Sequence, residues 1–480
     1  MAVDDLKVKI GLEVHCQLTS LKTKLFCSCS ADYRGDKPNT HVCPVCIGIP
    51  GTLPVVNEKA VNFAVMVASA LNSKISERMV FFRKNYFYPD MPKNFQISQY
   101  DKAGGIPISV GGFLTLDGGR RVMIRRIQLE EDPGKLSYEG TIETSRYTLV
   151  DYNRAGVALV EVVTEPDLES PREARIFLEK LRSQLEHLGV FDGSLEGSMR
   201  CDANISLAEG RRVEVKNISS FKEVERALNF EVTRQGTLVG KGIRVGMETR
   251  HWDEVRRITV TLRVKEEEQD YRYFPEPDLM PIQITEEYVS KLRASMPELP
   301  ESRRQRFIET YGISGQNADV LIDNKALADF FEKCVELKTN PQEASNWIVG
   351  DLIAYLHAAG IELSESKITP KHLTRILQMI DDGTISIKIA KLVLEEMMKT
   401  GATPEEIVER KGLRRISDTT YLADLVNKIF RENTQAVSDA VRDEKAVNYL
   451  VGQLMKATQG KADPELANKL IRDKLAELSK

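Results

Sequence analysis

The segment KVKIGLEVHCQLT, residues 7–19, decides the fold prediction because apolar and polar side chains alternate along it. A period of two is typical of a β-strand that has one buried face and one polar face. Glu13 and His15 share the polar face, where a carboxylate and an imidazole two residues apart can reach one cation or phosphate. A half-exposed strand with ordinary polar side chains explains the same alternation, so the segment alone leaves both interpretations open.

Two further segments, residues 198–207 (SMRCDANISL) and 211–217 (RRVEVKN), repeat this alternation and extend the predicted sheet. The short AEG between them predicts a hairpin that brings their polar faces together. Those faces carry groups suited to phosphoryl oxygens and their metal: Arg200, Asp202, Asn204 and Lys216. Arginine and lysine neutralise phosphate charge, and carboxylate and amide oxygens bind cations. A surface ladder of salt bridges is the alternative.

Buried acids indicate a candidate metal site. Glu161 interrupts the apolar run GVALVEVV, residues 156–163, and an ionised carboxylate in such a strand is costly unless it is paired or binds a metal. Glu130, Glu131 and Asp132 are adjacent in QLEEDPGK, where a divalent ion would relieve their mutual repulsion. An acidic turn before a proline is the alternative for this second segment.

Four of the seven cysteines lie close together in the sequence. The spacing C-x-C-x13-C-x2-C fits a tetrahedral thiolate site built from two knuckles, whose ligands are Cys27, Cys29, Cys43 and Cys46. We predict structural Zn²⁺ here, because four thiolates fill the coordination shell and leave no position for a substrate. His41 is near enough to replace one ligand, and a group of free thiols is the other alternative.

The overall composition is that of a soluble globular protein. Among 480 residues, Lys plus Arg number 67 and Asp plus Glu 71, which gives a formal charge of −4. No apolar run approaches the roughly 18 residues that a membrane helix needs, and no signal peptide is evident at the N-terminus. We therefore expect a cytoplasmic protein that does not enter a membrane.

A nucleotide-binding segment is suggested by residues 81–99, FFRKNYFYPDMPKNFQISQ, which mix basic, aromatic and amide side chains. This composition suits stacking and hydrogen bonding to a nucleotide or nucleic acid, and Lys84 and Asn85 are the residues that we predict to bind it. Aromatic core packing is equally compatible with the segment. The chain contains neither a phosphate-binding P-loop nor a G-x-G-x-x-G fingerprint, so an ATP site would be of another design.

The pattern changes near residue 290. Before it, short alternating runs are broken by Gly and Pro, and one strong helix is predicted over Ser170–Gly189, with Ser170 as N-cap and His187 exposed. After it, the apolar spacing is helical almost throughout, with a further break near residues 399–412. We expect an α+β fold followed by all-α regions.

Seven segments of the chain, most of them described above, together resemble the B subunit of the aspartyl/glutamyl-tRNA amidotransferase. The resemblance is carried by IGLEVHCQL, FFRKNYFYPDMPKNFQISQYD, LEEDPGK, LVDYNRAGVALVEVVTEPDL, GSMRCDANISL, VEVKNISSF and DYRYFPEPDL, and it continues into the C-terminal segment NYLVGQLMKATQGKADPELANKLI. It implies a heterotrimer in which a glutaminase A subunit supplies ammonia and a small C subunit wraps the pair. It also implies a β-rich cradle catalytic domain (residues 1–294), an all-α helical domain (295–405) and a small helical tail domain (406–480) that binds the body of the tRNA.

The resemblance further implies the reaction of a carbon–nitrogen ligase. This subunit would hold mischarged Glu-tRNA(Gln) or Asp-tRNA(Asn), phosphorylate the side-chain carboxylate with ATP, and let channelled ammonia displace phosphate. A carboxylate is a poor acyl donor, so phosphorylation provides the leaving group, and Mg²⁺ offsets the negative charge. Which of the two tRNAs is the substrate stays open at this point.

The resemblance implies that Glu13, His15, Glu130 and Glu161 form a metal-binding neighbourhood and that the motifs around Arg200 and Lys216 line the pocket for ATP and the aminoacyl end, and the individual roles that follow are our inference. The expected Mg²⁺ ligands are Glu13, His15, Glu130 and Glu161. The expected catalytic residues are Glu131, Arg200, Asp202 and Lys216. The expected ATP-binding residues are Lys84, Asn85, Arg200, Asn204 and Lys216. The cysteine knuckles are not a fixed feature of the family, so zinc rests on their spacing here.

Two rival interpretations stay open. One is a zinc-stabilised tRNA-binding scaffold without its own catalysis, which explains the cysteines and the basic segment but not Glu161 in an apolar strand. The other is the related archaeal E-type subunit, which resembles the same cradle but carries a large extra domain. Residues 290–480 leave no room for that domain.

Overall fold

The computed structural model describes residues 7–101, 104–140, 145–207, 210–218, 220–264, 271–416, 418–440, 443–458 and 460–478. The chain divides into two compact units, Met1–Ser302 and Arg303–Lys480. A large mixed sheet with helices forms the first unit, and the described part of the second unit is helical. The predicted α+β class is confirmed.

The strands of the first unit build one large sheet and three small ones. In chain order, the strands are β1 (Val8–Gln17), β2 (Lys74–Ile75), β3 (Arg78–Met79), β4 (Phe82–Asn85), β5 (Phe95–Ser98), β6 (Ser109–Val110), β7 (Phe113–Thr115), β8 (Arg121–Glu131), β9 (Lys135–Tyr138), β10 (Thr148–Asp151), β11 (Ala158–Thr164), β12 (Met199–Leu207), β13 (Val213–Ile218), β14 (Glu248–Asp253), β15 (Ile258–Val264), β16 (Phe274–Pro275) and β17 (Ile282–Gln283). The large sheet has the order β15-β14-β13-β12-β1-β11-β8-β6-β2, and β7 also pairs with β8. The small sheets are β16-β4-β5, β10-β9 and β17-β3.

Strand β1 occupies the middle of the large sheet, as its alternating sequence allows. It pairs antiparallel with β11 on one side and with β12 on the other. Its apolar residues Ile10, Leu12, Val14 and Cys16 are all buried on one face. Because side chains alternate along a strand, every polar residue between them faces the opposite side of the sheet. The polar residues predicted for β1, β12 and β13 therefore lie on one face of the sheet.

Helices cover the apolar face of this sheet. The helices of the first unit are α1 (Glu58–Ala70), α2 (Pro171–His187), α3 (Phe221–Gly240) and α4 (Glu286–Ala294), and α5 (Pro300–Tyr311) spans the boundary between the units. Helix α2 begins as predicted, with Ser170 Oγ accepting the main-chain N–H of Glu173. It packs an apolar stripe that includes Phe177 and Leu181 against the core, where each such side chain contributes roughly 2 kcal/mol. The prediction of an exposed His187 is wrong, because the ring is buried and Nδ1 donates to the Ser183 carbonyl.

The second unit consists of short helices around two separate hydrophobic clusters. Its helices are α6 (Gly315–Ile322), α7 (Lys325–Glu336), α8 (Pro341–Trp347), α9 (Ile353–Ala359), α10 (Pro370–Asp381), α11 (Ile387–Thr400), α12 (Pro404–Arg410), α13 (Thr419–Glu432), α14 (Thr434–Ala440), α15 (Glu444–Ala457) and α16 (Pro464–Leu478). One cluster runs from Phe307 to Val408, and the other from Leu422 to Leu475. The three-domain division stays a prediction. No helix in the described part of the chain is long and apolar enough to cross a membrane.

Candidate active site

Pairing of the central strands brings the predicted site residues together on the open face of the sheet. His15 lies opposite Glu161 of β11 on one side and opposite Arg200 of β12 on the other. Glu13 lies opposite Asp202. These residues are distant in sequence, and the antiparallel register alone makes them neighbours.

Glu13, His15 and Glu161 form a group that can hold a metal ion. The His15 Nε2 atom lies 3.8 Å from Glu13 Oε1 and 3.9 Å from Glu161 Oε1. One ligand atom from each of the three residues lies within 4.8 Å of the other two. Two carboxylates and an imidazole are ordinary ligands of divalent cations.

The electrostatics of this group favour a bound cation. Burial, together with the nearby Glu130 and Glu13 carboxylates, raises the pKa of Glu161 well above its usual value. Burial also opposes ionisation of Glu13, but His15 and a hydrogen bond from Glu161 bring its pKa below the usual value. Repulsion between carboxylates is what a divalent ion relieves, so the charges of this group suit such an ion.

Glu130 and Glu131 are neighbours in sequence but have separate environments. Glu130 accepts hydrogen bonds from Ser98 Oγ and, at 3.2 Å, from Gln96 Nε2. Glu131 instead forms an ion pair with Lys93, because successive residues of β8 point to opposite sides of the strand. Glu130 thus lies beside the metal-binding group, whereas Glu131 is engaged away from it.

Asp132 is a buried anion whose role sequence reasoning missed. Its Oδ2 atom accepts a hydrogen bond from Gln17 Nε2 at 2.6 Å, and its Oδ1 atom forms an ion pair with Arg200 and lies 3.9 Å from Arg154. Burial opposes ionisation of Asp132, but Arg200 and Arg154 hold its pKa below the usual value. Asp132 therefore orients the Arg200 guanidinium beside His15.

Lys216, Asp202 and Asn204 line the next part of the face. The Lys216 ammonium donates to Asp202 and lies 3.1 Å from Glu214 Oε1. These two carboxylates raise the pKa of Lys216, although its burial acts in the opposite direction. Within the described residues, the buried Asn204 Oδ1 atom has no hydrogen-bond partner. An unsatisfied buried acceptor on this face is available to a ligand that donates a hydrogen bond.

Lys84 and Asn85 differ in their availability to a ligand. The Lys84 ammonium lies 5.1 Å from the centre of the Tyr271 ring, and its positive charge helps to lower the pKa of Glu13. Asn85 is already used, because its Nδ2 atom donates to the Arg272 carbonyl at 2.7 Å. It holds the 271–273 segment beside the sheet.

Aromatic side chains from that segment border the site, and sequence reasoning did not assign them a role. The rings of Tyr100 and Tyr273 are stacked with centroids 4.4 Å apart, and Tyr271 meets Tyr273 edge-on. Burial and neighbours that include Tyr100 and Glu130 raise the pKa of Tyr273. The sequence signal was the segment DYRYFPEPDL, which carries part of the family resemblance and places two tyrosines around Arg272.

The four predicted zinc ligands converge as their spacing requires. The Sγ atoms of Cys27, Cys29, Cys43 and Cys46 all lie within 4.8 Å of one another, which suits one metal ion. A hydrogen bond from Cys27, with help from the Cys43 N–H and Lys24, lowers the pKa of Cys46 to about 5 against the effect of burial. The Nε2 atom of His41 instead lies 2.7 Å from Asp36 Oδ2, so the ring contacts this carboxylate outside the thiol group.

Comparison with known proteins connects this face to a protein family. Residues 8–290 match the GatB/GatE catalytic domain, and residues 329–475 match the GatB domain. The B subunit of the aspartyl/glutamyl-tRNA(Asn/Gln) amidotransferase of Sulfolobus acidocaldarius is 52% identical over 469 residues, which cover 98% of this chain and 99% of the relative. The chain belongs to the family of aspartyl/glutamyl-tRNA(Asn/Gln) amidotransferase B subunits.

Similarity within this family of B subunits extends over nearly the whole chain. The Thermotoga maritima protein of the same name is 50% identical over 475 residues, covering 96% of this chain and 98% of the relative. The Carboxydothermus hydrogenoformans protein is 48% identical over 480 residues, covering 98% of each. All strands that carry the candidate site lie within the matched catalytic domain.

Proposed function

We propose that this chain amidates the side-chain carboxylate of tRNA-bound glutamate, aspartate or both, after activating that carboxylate with ATP. The observation that carries the proposal is the convergence of Glu13, His15 and Glu161 beside the cations Arg200 and Lys216. A cation-binding group flanked by fixed positive charges is what transfer of a phosphoryl group demands. The names of the relatives specify tRNA(Asn/Gln) amidotransfer, which supports the same substrate class.

The proposed reaction proceeds in two steps. An oxygen of the substrate carboxylate attacks the γ-phosphorus of ATP, the bond to the β-phosphate oxygen breaks, and ADP leaves. Ammonia then attacks the carbonyl carbon of the acyl phosphate, phosphate departs with the C–O bonding electrons, and the nitrogen loses a proton. Arg200 and Lys216 offset the negative charge that gathers on the phosphoryl oxygens.

We propose Mg²⁺ as the resident cation, held by Glu13, His15 and Glu161, with Glu130 beside them. When bound, Mg²⁺ lowers the repulsion between the substrate carboxylate and the phosphates of ATP. Asp202 and Asn204 are proposed to hold water or ligand oxygens, and Lys84 and Asn85 to border the nucleotide. For Glu131, a direct catalytic role stays a prediction, and its ion pair with Lys93 supports a positioning role instead.

The assembly and the second metal are also proposals. The relatives are named as B subunits, which supports a multi-subunit enzyme, and we propose a glutaminase A subunit and a small C subunit as partners. Tail-domain contact with the tRNA and cytoplasmic localisation stay predictions. We propose structural Zn²⁺ in the cysteine group, and metal analysis of protein purified without chelator is expected to find it. Purified protein without zinc, or unchanged zinc content after C43S/C46S, would contradict this assignment.

The test of function bypasses the glutaminase by supplying an ammonium salt. The assembled enzyme is mixed with Glu-tRNA(Gln) or Asp-tRNA(Asn) and Mg-ATP, and the amidated tRNA and released phosphate are measured. We expect the wild type to form amidated tRNA in an ATP-dependent reaction and Glu161→Gln to form none. The tRNA affinity of Glu161→Gln should lie within a few-fold of the wild-type affinity. Glu179→Gln, which removes a carboxylate from an exposed ion pair on α2, is the matched control and should be fully active.

Two results would contradict the proposal. Normal turnover of Glu161→Gln would remove Glu161 from the metal site. Wild-type enzyme that binds tRNA but forms neither phosphate nor amidated tRNA with either substrate would favour the scaffold interpretation.

A further inference from the structure

The turn that follows the second cysteine pair lies directly against Lys93. Gly48 has a φ of +73°, and a Cβ built at this position would lie 2.7 Å from Lys93 Cγ and 3.0 Å from Lys93 Cα. Only glycine permits both this backbone conformation and this close approach. The cysteine-bearing turn therefore packs directly against the backbone and the first side-chain atoms of Lys93.

Lys93 is held in a buried ion pair with Glu131. Its Nζ atom lies 2.5 Å from both carboxylate oxygens of Glu131, and the two side chains are 9% and 3% exposed. The ammonium also lies 5.4 Å from the centre of the Phe95 ring. A charge pair this far from water is held in one geometry, because neither partner has solvent as an alternative.

Glu130 and Glu131 of β8 accept hydrogen bonds from β5 and so connect the two strands. The Ile97 N–H of β5 donates to Glu131 Oε1 at 2.8 Å. The Gln96 amide donates to the Glu131 carbonyl at 2.7 Å and to Glu130 Oε2 at 3.2 Å. Ser98, two residues further along β5, donates to the other oxygen of Glu130. Both oxygens of Glu130 are therefore oriented by a strand that Glu131 holds in place.

Glu130 in turn acts on the metal-binding group. Gln128 of β8 lies opposite Glu161 in the β8–β11 pairing, and Glu130, two residues further along β8, shares that face of the sheet. Packing, the ion pair and hydrogen bonds thus connect the turn at Gly48, through Lys93 and Glu131, to β5 and Glu130, which lies on the same face as Glu161. Partners of this kind fix the orientation of groups at a metal site and alter its affinity without touching the metal.

We propose that Lys93 and Glu131 are positioning residues for the metal site, acting by holding β5 against β8 so that Gln96 and Ser98 orient Glu130 beside the metal ligands. The inference rests on the proposed function, in which the group of Glu13, His15 and Glu161 binds the divalent ion of the reaction. It reassigns Glu131 from chemistry to orientation. Because the cysteine-bearing turn packs against Lys93, it also helps to orient the metal site.

The test measures Mn²⁺ binding to the full chain by electron paramagnetic resonance, with Mn²⁺ as the probe. The main variant is K93M/E131Q, which removes both charges and leaves no orphaned ion. We expect it to bind Mn²⁺ about tenfold more weakly, the size of effect usual for residues behind metal ligands. K93R keeps the ion pair and should restore affinity to within about twofold of the wild type.

A matched control separates positioning from general loss of stability. R234M/E231Q removes an ion pair within α3, where Glu231 is buried against the β14–β15 edge and away from the metal-binding group. It should lower the thermal midpoint and leave Mn²⁺ affinity unchanged. In the amidation assay, K93M/E131Q should shift the Mg²⁺ midpoint by the same factor, whereas a loss of kcat at saturating Mg²⁺ with an unchanged midpoint would contradict the positioning role and support direct catalysis by Glu131.

Each outcome decides the inference. K93M/E131Q with wild-type Mn²⁺ affinity overturns the positioning role, even if its thermal midpoint falls. If that variant does not fold, Ser98→Ala, which removes a donor to Glu130, must still weaken Mn²⁺ binding, and wild-type affinity there overturns the inference. Wild type that binds Mn²⁺ no better than Glu161→Gln overturns the proposed metal site itself, and the inference with it.

Discussion

Two buried polar groups on the same sheet differ in how their charges are satisfied. Between α3 and the β14–β15 edge, Glu231 accepts hydrogen bonds from Arg234, Gln235 and Thr259 and forms an ion pair with Arg250. This outer network matches carboxylates with guanidinium groups. On the open face near β1, carboxylates instead lie beside one another.

The difference shows in the direction of the pKa shifts. Burial opposes ionisation of Glu231, but hydrogen bonds from Arg234, Gln235 and Thr259 hold its pKa below the usual value. Burial and neighbouring carboxylates raise the pKa of Glu161 well above it. Hydrogen bonds and charges within the protein stabilise the ionised form of Glu231, whereas Glu161 lies beside other carboxylates whose repulsion a bound cation can relieve. Unmatched buried charge is thus the feature that separates the candidate site from a structural network.

The largest expected effect comes from breaking the matched network. Glu231→Gln leaves the buried Arg250 and the half-buried Arg234 short of a carboxylate, so we expect a loss of about 3 kcal/mol in the free energy of unfolding. Urea unfolding measures this, with Glu179→Gln in an exposed ion pair as control and an expected loss below about 1 kcal/mol. Amidation per folded molecule should not change in Glu231→Gln. Equal stability losses in the two variants would contradict the comparison.

A smaller effect on stability is expected when Mg²⁺ binds the group of Glu13, His15 and Glu161. At a concentration 100 times its dissociation constant, Mg²⁺ should stabilise the wild type by about 2.7 kcal/mol, because it binds only the folded state. Glu161→Gln should lose this gain, while its stability without Mg²⁺ should equal or exceed that of the wild type, since a crowded carboxylate is removed. Thermal unfolding with and without Mg²⁺ measures both quantities. An equal Mg²⁺ gain in wild type and variant would place the cation elsewhere.

The smallest effect is the pH dependence of the outer network. Glu231 has a folded-state pKa below its unfolded value of about 4.3, so its contribution is complete above that pH and is lost as pH falls through the folded pKa. The stability difference between wild type and Glu231→Gln should therefore be constant near neutrality. It should shrink by about 1 kcal/mol per pH unit below pH ~4. Urea unfolding across this range measures it, and a difference that grows on acidification would reverse the assigned direction.

Much of the metal-binding group was predictable because strand periodicity is a local property. Glu13 and His15 fall on one face by alternation, and Glu161 stands out in an apolar run, so their types and faces follow from sequence. The cysteines likewise have a spacing that few other structures require. For Glu130 and Glu131, the residues themselves indicated only an acidic site, and it was the family resemblance that named Glu130 as an expected metal ligand and Glu131 as an expected catalytic residue.

Other residues depended on contacts between distant segments. Asp132 is 68 residues from Arg200, and its ion pair with that arginine arises only when β8 and β12 enter the same sheet. Tyr273 stacks on Tyr100 across 173 positions because the 271–273 segment returns to β4. His187 was expected on the exposed side of α2, and it is buried because the helix packs on more than one side.

Sequence by itself determined the α+β class, the strand faces, the cysteine group and the family, because these depend on local periodicity and on the kinds of side chain present. The tertiary structure decided which charges are neighbours. It paired Asp132 with Arg200 and Lys93 with Glu131, and it left Glu161 beside Glu13 and Glu130. Electrostatic energy depends on distance and on exclusion of water, and for residues far apart in the chain only the fold sets either of these.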